Sequence, residues 1–259
     1  MLRIFEPILN DYIAKKNNEN SKNRYVGKEE YFGASSADWC HRRQYYKFNQ
    51  YPQTNPMKTP MKRRLRLGTI WHDEMEKAIE DFLKLEDKNG VKNIITEKEH
   101  VVEDIKARGF SDAIIEMDNG EIYVIDFKTS IDYLYRSVFG ARIGKSENIK
   151  RGYKLQLGTY GLAVMEEYGR VDGMYLIYFN IDNGLMGSKR IGNKYIEEAR
   201  DYWINMQNDV YTGLPENTKE INKNSKSKYY NKREDSECNY CSWKDQCKMD
   251  GDEKGVFEL

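Results

Sequence analysis

An α/β fold, with a central mixed β-sheet flanked by helices, is what the order of periodic segments in this 259-residue chain predicts. Three observations lead there. Apolar residues first recur at helical spacing. Runs that alternate with a period of two come next, two of them joined by a hairpin turn. The order then closes as helix, strand, strand, helix.

Taken in order, residues 1–17 place Leu2, Phe5, Leu9 and Ile13 at helical intervals, and Asn17–Glu30 is a polar loop. Ser35 or Ser36 stands where it would N-cap a helix carrying Trp39, Cys40, Tyr45 and Phe48. Pro52, Pro56 and Pro60 make residues 49–61 an extended connection. A long helix is expected over Leu65–Leu85, with Leu67, Ile70, Trp71, Met75, Ile79 and Phe82 on one side. Strands are expected over Ile94–Val102, Arg108–Met117 and Glu121–Lys128. The last two flank Asp118-Asn119-Gly120, a strong hairpin signal. A short helix over 131–141, a basic loop over Gly144–Gly152 and a helix over Tyr153–Tyr168 follow, Gly158 and Gly161 weakening the last. Asp172–Ile181 and Leu185–Ile191 read as strands around Asp182-Asn183-Gly184, and Ile196–Tyr211 as a closing helix. Nothing demands a boundary between independent domains. Residues 1–259 are expected to form one, with its core over about 62–212.

Composition narrows the function. Apolar residues make up 39 %, enough for a real core, and 42 Lys+Arg balance 42 Asp+Glu, so any surface for a polyanion must be local. The longest charge-free stretch, Leu155–Met165, is far short of the ~20 apolar residues of a membrane span. The N-terminal Met1-Leu-Arg-Ile-Phe-Glu-Pro lacks a basic-then-apolar signal, so a cytoplasmic protein is expected.

The four cysteines are Cys40 and then Cys238, Cys241 and Cys247, spaced C-x2-C-x5-C. Thiolates so placed can share one metal, with Cys40 as a fourth ligand from the other end of the chain. Zinc and an iron–sulfur cluster both take four thiolates, and spacing does not separate them. The element would combine about 35–48 with 236–250 and fasten the polar segment Gly213–Glu237.

The hairpin carries the chemistry. With a three-residue loop, Met117 faces Glu121, and Asp112 falls opposite Asp126. Asp126 and Lys128 share one strand face while Phe127 points away. Two carboxylates and an ammonium thus gather at the end of a strand whose neighbours are Ile122, Val124 and Ile125. A divalent cation would resolve the cost of burying them, since Mg²⁺ prefers hard oxygen ligands. Upstream, His72 lies in the long helix four residues after Gly68. Downstream, Gln156 and Tyr160 stand at i and i+4 on one helix face.

These residues resemble the PD-(D/E)XK nuclease superfamily, and within it the RecB-like exonuclease branch. Gly68-x3-His72 looks like its first motif, Gly109-Phe-Ser-Asp112 like G-x-x-D, Asp126-Phe-Lys128 like (D/E)-x-K and Gln156-x3-Tyr160 like Q-x3-Y. The four cysteines are similar to the iron–sulfur staple of branch members such as CRISPR-adaptation exonucleases, AddB-type nuclease domains and replication helicase–nucleases. The resemblance implies a restriction-endonuclease-like core and a 4Fe–4S cluster on Cys40, Cys238, Cys241 and Cys247. It implies Mg²⁺ or Mn²⁺ held by His72, Asp112, Asp126 and the Phe127 carbonyl, and a Lys128 that positions the attacking water. Gln156 and Tyr160 would support the site or the DNA, and hydrolysis would leave a 5′-phosphate. Glu99 and Glu76 are lesser acidic candidates. No G-x4-G-K-[ST] sequence is present, so a helicase, recombinase or integrase would be a separate chain.

Residues 41–67 hold Arg42, Arg43, Lys47, Lys58, Lys62, Arg63, Arg64 and Arg66 without an acidic residue, interleaved with Tyr45, Tyr46, Phe48 and Tyr51. Cations with stacking rings suit single-stranded DNA. A second basic group is Arg136, Arg142, Lys145, Lys150, Arg151 and Lys154. The expected function is a metal-dependent deoxyribonuclease acting as an exonuclease on single strands or DNA ends, in recombination, repair, phage DNA metabolism or CRISPR adaptation. The competing readings are a non-catalytic iron–sulfur or zinc DNA-binding adaptor of the same fold, and a zinc-stapled interaction protein whose Asp126–Lys128 pair is a surface salt bridge.

Overall fold

The computed structural model describes residues 6–16, 30–140, 149–216, 238 and 240–251. In chain order the elements are α1 (6–16), β1 (Phe32–Gly33), a 3-10 turn (Ala34–Ser36), α2 (His41–Phe48), α3 (Thr59–Leu83), β2 (Val91–Val102), β3 (Ala107–Met117), β4 (Ile122–Ser130), α4 (Asp132–Phe139), α5 (Arg151–Tyr168), β5 (Gly173–Asn180), β6 (Met186–Ile191), α6 (Lys194–Tyr211) and α7 (Lys244–Met249). Leu2, Phe5, Arg142, Lys145 and most of the expected loops over Asn17–Glu30 and Gly213–Glu237 lie outside the described residues.

The expected mixed sheet is present. Its strand order is β1-β3-β4-β5-β6, with β2 also on β3. The β2–β3, β3–β4 and β5–β6 pairs are antiparallel, and β4–β5 is parallel. A parallel pair needs a crossover connection, which here contains α4 and α5. The β3–β4 hairpin turns through Asp118-Asn119-Gly120, where Gly120 takes φ 82 and its N–H donates to the Met117 carbonyl at 2.9 Å. The resulting register, Ala113 with Ile125 and Glu116 with Ile122, is the one expected from a three-residue loop.

Two compact units divide the chain: Gly33–Asp38 with Arg66–Ile204, and Met1–Phe32 with Trp39–Leu65 and Asn205–Leu259. In the first, alternation along β4 gives the sheet two faces. Ala113, Ile125 and Phe127 form a cluster covered by Met75 and Ile79 of α3. The other face carries Val124, Met174 and Leu176, all fully buried. Here α5 packs. Every residue from Leu155 to Val164 is buried, the pattern of a helix covered all round. Gly158 and Gly161 serve this packing: a Cβ would lie 2.0 Å from the Tyr195 carbonyl at the first and 2.5 Å from Met174 Sδ at the second. The helix ends at Gly169, whose φ of 73 and N–H bond to the Met165 carbonyl close it.

In the second unit, the 241–251 segment is bonded to α2 and the loop after it. Trp243 Nε1 donates to the Tyr51 carbonyl at 2.9 Å, and the Asp245 N–H and carboxylate both bond the Asn55 side chain at 2.9 Å. Tyr46 donates to Asp250 Oδ2 at 2.8 Å. These bonds join residues 46–55 to residues 243–250. Cys40 and Cys238 are buried, and Cys241 and Cys247 are half-buried.

Two local expectations need correction. Ser36 does not cap a helix: its hydroxyl donates back to the Gly33 carbonyl at 2.6 Å, and Asp38 turns left-handed at φ 65. The helix therefore starts only after Cys40. Helix α3 begins at Thr59 rather than Leu65, because Pro60 falls in its first turn, where a missing N–H costs nothing. Lys62, Arg63 and Arg64 are thus helical. From β2 to α6 the boundaries differ from expectation by three residues or fewer at each end.

His100 of β2 is 3 % exposed, with a ring nitrogen 2.9 Å from Ser111 Oγ. Burial pushes its pKa down to about 4, aided by the Lys98 charge. The fold therefore prefers the neutral ring, and the unfolded chain takes up a proton first as pH falls below ~6.5. The stability of the wild type is expected to drop by about 2 kcal/mol more between pH 7 and pH 5 than that of His100→Gln, read by urea unfolding.

Candidate active site

Site residues come together where β3 and β4 part. Their pairing runs from Glu116–Ile122 to Ala113–Ile125 and stops. In that register the Phe127 N–H is the next that β4 would offer to β3. Instead it donates to Asp112 Oδ2 at 2.5 Å. A side chain thus replaces a ladder bond, and the backbone donor stays satisfied although buried. The other carboxylate oxygen, Asp112 Oδ1, lies 3.1 Å from His72 Nδ1 on α3.

Beyond that point Asp126 and Lys128 point toward α5. Lys128 Nζ is 2.6 Å from Asp126 Oδ2 and donates to Gln156 Oε1 at 3.0 Å. Since Gln156 accepts through oxygen, its amide nitrogen faces the other way. It donates to Asp126 Oδ1 at 3.1 Å and to Tyr160 OH at 2.9 Å. Two contact groups, His72 with Asp112 and Lys128 with Asp126, Gln156 and Tyr160, are thus linked through the Phe127 backbone within one unit. Asp126 is 2 % exposed and Gln156 7 %. The Asp126–Lys128 pair is buried rather than lying on the surface.

Glu97 is the residue that the sequence reading missed. In the β2–β3 register, Thr96 faces Ala113 and Lys98 faces Ser111, so Glu97 sits opposite Asp112. It does so with φ 47, left-handed backbone inside a strand, at a cost of about 1–2 kcal/mol. Ligand atoms of His72, Glu97 and Asp112 lie within 4.8 Å of one another. Glu99, a lesser acidic candidate from sequence, accepts from Arg108 Nε at 2.6 Å.

Charge shapes the site. Burial pushes Asp126 up to about 6, and the Asp112 charge adds to this against the pull of Lys128. Burial would lower the Lys128 pKa, but the Asp126 and Asp112 charges outweigh it and raise it. His72 is likewise raised, because its bond to Asp112 and the two carboxylate charges overcome burial. Asp126 Oδ2 is buried beside the Lys128 ammonium, at 2.6 Å. The three carboxylates of Glu97, Asp112 and Asp126, with the His72 imidazole, are donors that fit a hard divalent cation.

The expected basic residues divide. Arg42 is spent on the protein, donating to the Pro215 carbonyl at 2.9 Å and reaching Cys247 Sγ at 3.6 Å. Arg43 stacks on Trp39 at 3.4 Å, and Arg63 bonds Glu6 and Asn10. Arg66 lies 3.7 Å from Asp73, and Arg151 pairs with Asp38 at 2.9 Å. Lys150 and Lys154 lie over the rings of Tyr153 and Tyr195, at 5.5 and 5.3 Å.

A sequence profile described as the PD-(D/E)XK nuclease superfamily matches residues 48–248. The chain belongs to that superfamily. No curated protein sequence matches it. Among solved structures, SSO0001 superposes with a TM-score of 0.55 at 20 % identity, covering 95 % of this chain and 98 % of its own. An alkaline exonuclease of Laribacter hongkongensis, LHK-Exo, gives 0.46 at 12 % identity, covering 74 % and 93 %. The first likeness agrees with the mixed-sheet fold.

The two glycines that the motif resemblance singled out differ in how tightly they are packed. At Gly109 a Cβ would lie 2.7 Å from the Tyr160 ring and 2.8 Å from Ala34 Cβ. Gly109→Ala is expected to displace Tyr160 from Gln156 and to cost about 1–3 kcal/mol, measured by denaturant unfolding. Gly68 is looser, its Cβ position 3.3 Å from Thr129 Oγ1.

Proposed function

We propose that this chain is a metal-dependent deoxyribonuclease that works as an exonuclease on single-stranded DNA or DNA ends. The observation that supports this most is that Asp126, Lys128 and Gln156 bond one another while Asp112 bonds both His72 and the Phe127 N–H that lies between Asp126 and Lys128 in the chain. A salt bridge kept only for stability would not need two further acids and an imidazole beside it.

His72, Glu97, Asp112 and Asp126, with the Phe127 carbonyl, would hold Mg²⁺ or Mn²⁺, which when bound neutralises phosphate charge and acidifies water. Lys128 orients the water that attacks the phosphodiester in line. Gln156 keeps Lys128 and Asp126 in register by bonding both. Asp112 fixes the Phe127 backbone and thereby the direction of the strand that carries Asp126 and Lys128. The products carry a 5′-phosphate. Lys62, Arg64, Arg66, Lys150, Arg151 and Lys154 bind the DNA backbone, and affinity falls with salt. Cys40, Cys238, Cys241 and Cys247 hold a structural 4Fe–4S cluster. Arg42 reaching the Cys247 sulfur suits a thiolate there. The whole chain acts as one nuclease domain, alongside a separate helicase, recombinase or integrase.

The test is digestion of end-labelled single- and double-stranded DNA with Mn²⁺. Wild type is expected to cleave and to stop when the metal is chelated. Asp126→Ala and Lys128→Ala are expected to lose about 10²–10⁴-fold in rate while still binding DNA. A wild type that binds but never cleaves would be the adaptor instead. Anaerobic metal analysis, with absorbance near ~400 nm, decides between iron–sulfur and zinc.

A further inference from the structure

We propose that Tyr153 is a positioning residue for Lys128, presenting the face of its ring to the ammonium group. The proposal rests on the nuclease reading above. Tyr153 lies in the first turn of α5, three residues before Gln156, so both reach the same side of the helix. Lys128 Nζ is 4.6 Å from the centre of its ring. Among the described residues, the polar neighbours of that ammonium are Asp126 Oδ2 at 2.6 Å and Gln156 Oε1 at 3.0 Å. The ring supplies a third. Lysine is a compact charge on a flexible four-carbon stem, so two neighbours leave it room to swing. The negative face of an aromatic ring attracts a cation without accepting a conventional hydrogen bond, and more strongly where water is scarce. The Lys128 side chain is 16 % exposed, so the condition holds. Lys150 Nζ lies 5.5 Å from the same ring, which makes Tyr153 a shared platform for two ammonium groups beside the carboxylates.

Ring and hydroxyl make different predictions. If the face matters, Phe should replace Tyr153 and an aliphatic residue should not. Steady-state cleavage of single-stranded DNA with Mn²⁺ would be measured for wild type, Tyr153→Phe, Tyr153→Leu and Tyr153→Met, with melting temperatures alongside. Tyr153→Phe is expected to keep kcat within about twofold. Both Tyr153→Leu and Tyr153→Met are expected to lose about tenfold in kcat with KM nearly unchanged. A substitution that only loosened the fold would lower the melting temperature of all three alike. The proposal is overturned if the aliphatic variants cleave at the wild-type rate. It is equally overturned if Tyr153→Phe is as slow as Tyr153→Leu, or if the loss sits wholly in KM. A wild type without cleavage removes the nuclease reading itself. An active wild type matched by Tyr153→Leu removes this inference alone.

Discussion

A carboxylate standing in for a strand partner is the interaction on which the site depends. Asp112 takes the Phe127 N–H, so β3 and β4 can separate without leaving that buried donor unsatisfied. The parting has two consequences. It lets His72, carried by α3, reach the Asp112 oxygen that remains. It also leaves Asp126 and Lys128 facing α5 in a place where an ordinary hairpin would hold apolar pairs.

The acids gathered there are costly, and the fold supports them from several sides. Gln156 acts in both directions, accepting from Lys128 and donating to Asp126 and Tyr160. Tyr160 stays in place because Gly109 leaves no atom where its ring lies. Glu97 is held in strained backbone directly across from Asp112, and such strain persists where the surroundings over-determine it. Each device adds charge or removes freedom in one small volume, which favours a bound cation over a purely structural role.

Much of this was legible in the sequence because it is local. A three-residue turn fixes strand register, and register brings Asp112 to the part of β4 that carries Asp126 and Phe127. Period two then fixes that Lys128 shares the face of Asp126. The parts that were not legible depend on tertiary choices. Glu97 and Glu99 occupy the same alternating pattern, and only the left-handed backbone at Glu97 and the Arg108 partner of Glu99 distinguish them. Arg42, Arg43 and Arg63 read as free cations in a basic run, whereas their acceptors and rings lie at Pro215, Trp39 and Glu6. Gly158 and Gly161 look like helix weakeners until Tyr195 and Met174 press against them. Ser36 fits a cap pattern, but its hydroxyl is satisfied by Gly33.

The most direct measurement is manganese binding to the apo protein, followed by electron paramagnetic resonance, for wild type and Asp112→Asn. The substitution keeps an oxygen that can accept from Phe127 but removes the charge. The account predicts binding by the wild type and a loss of at least about tenfold in affinity for the variant, with the fold intact. Equal affinity for both proteins would contradict a cation site built around Asp112.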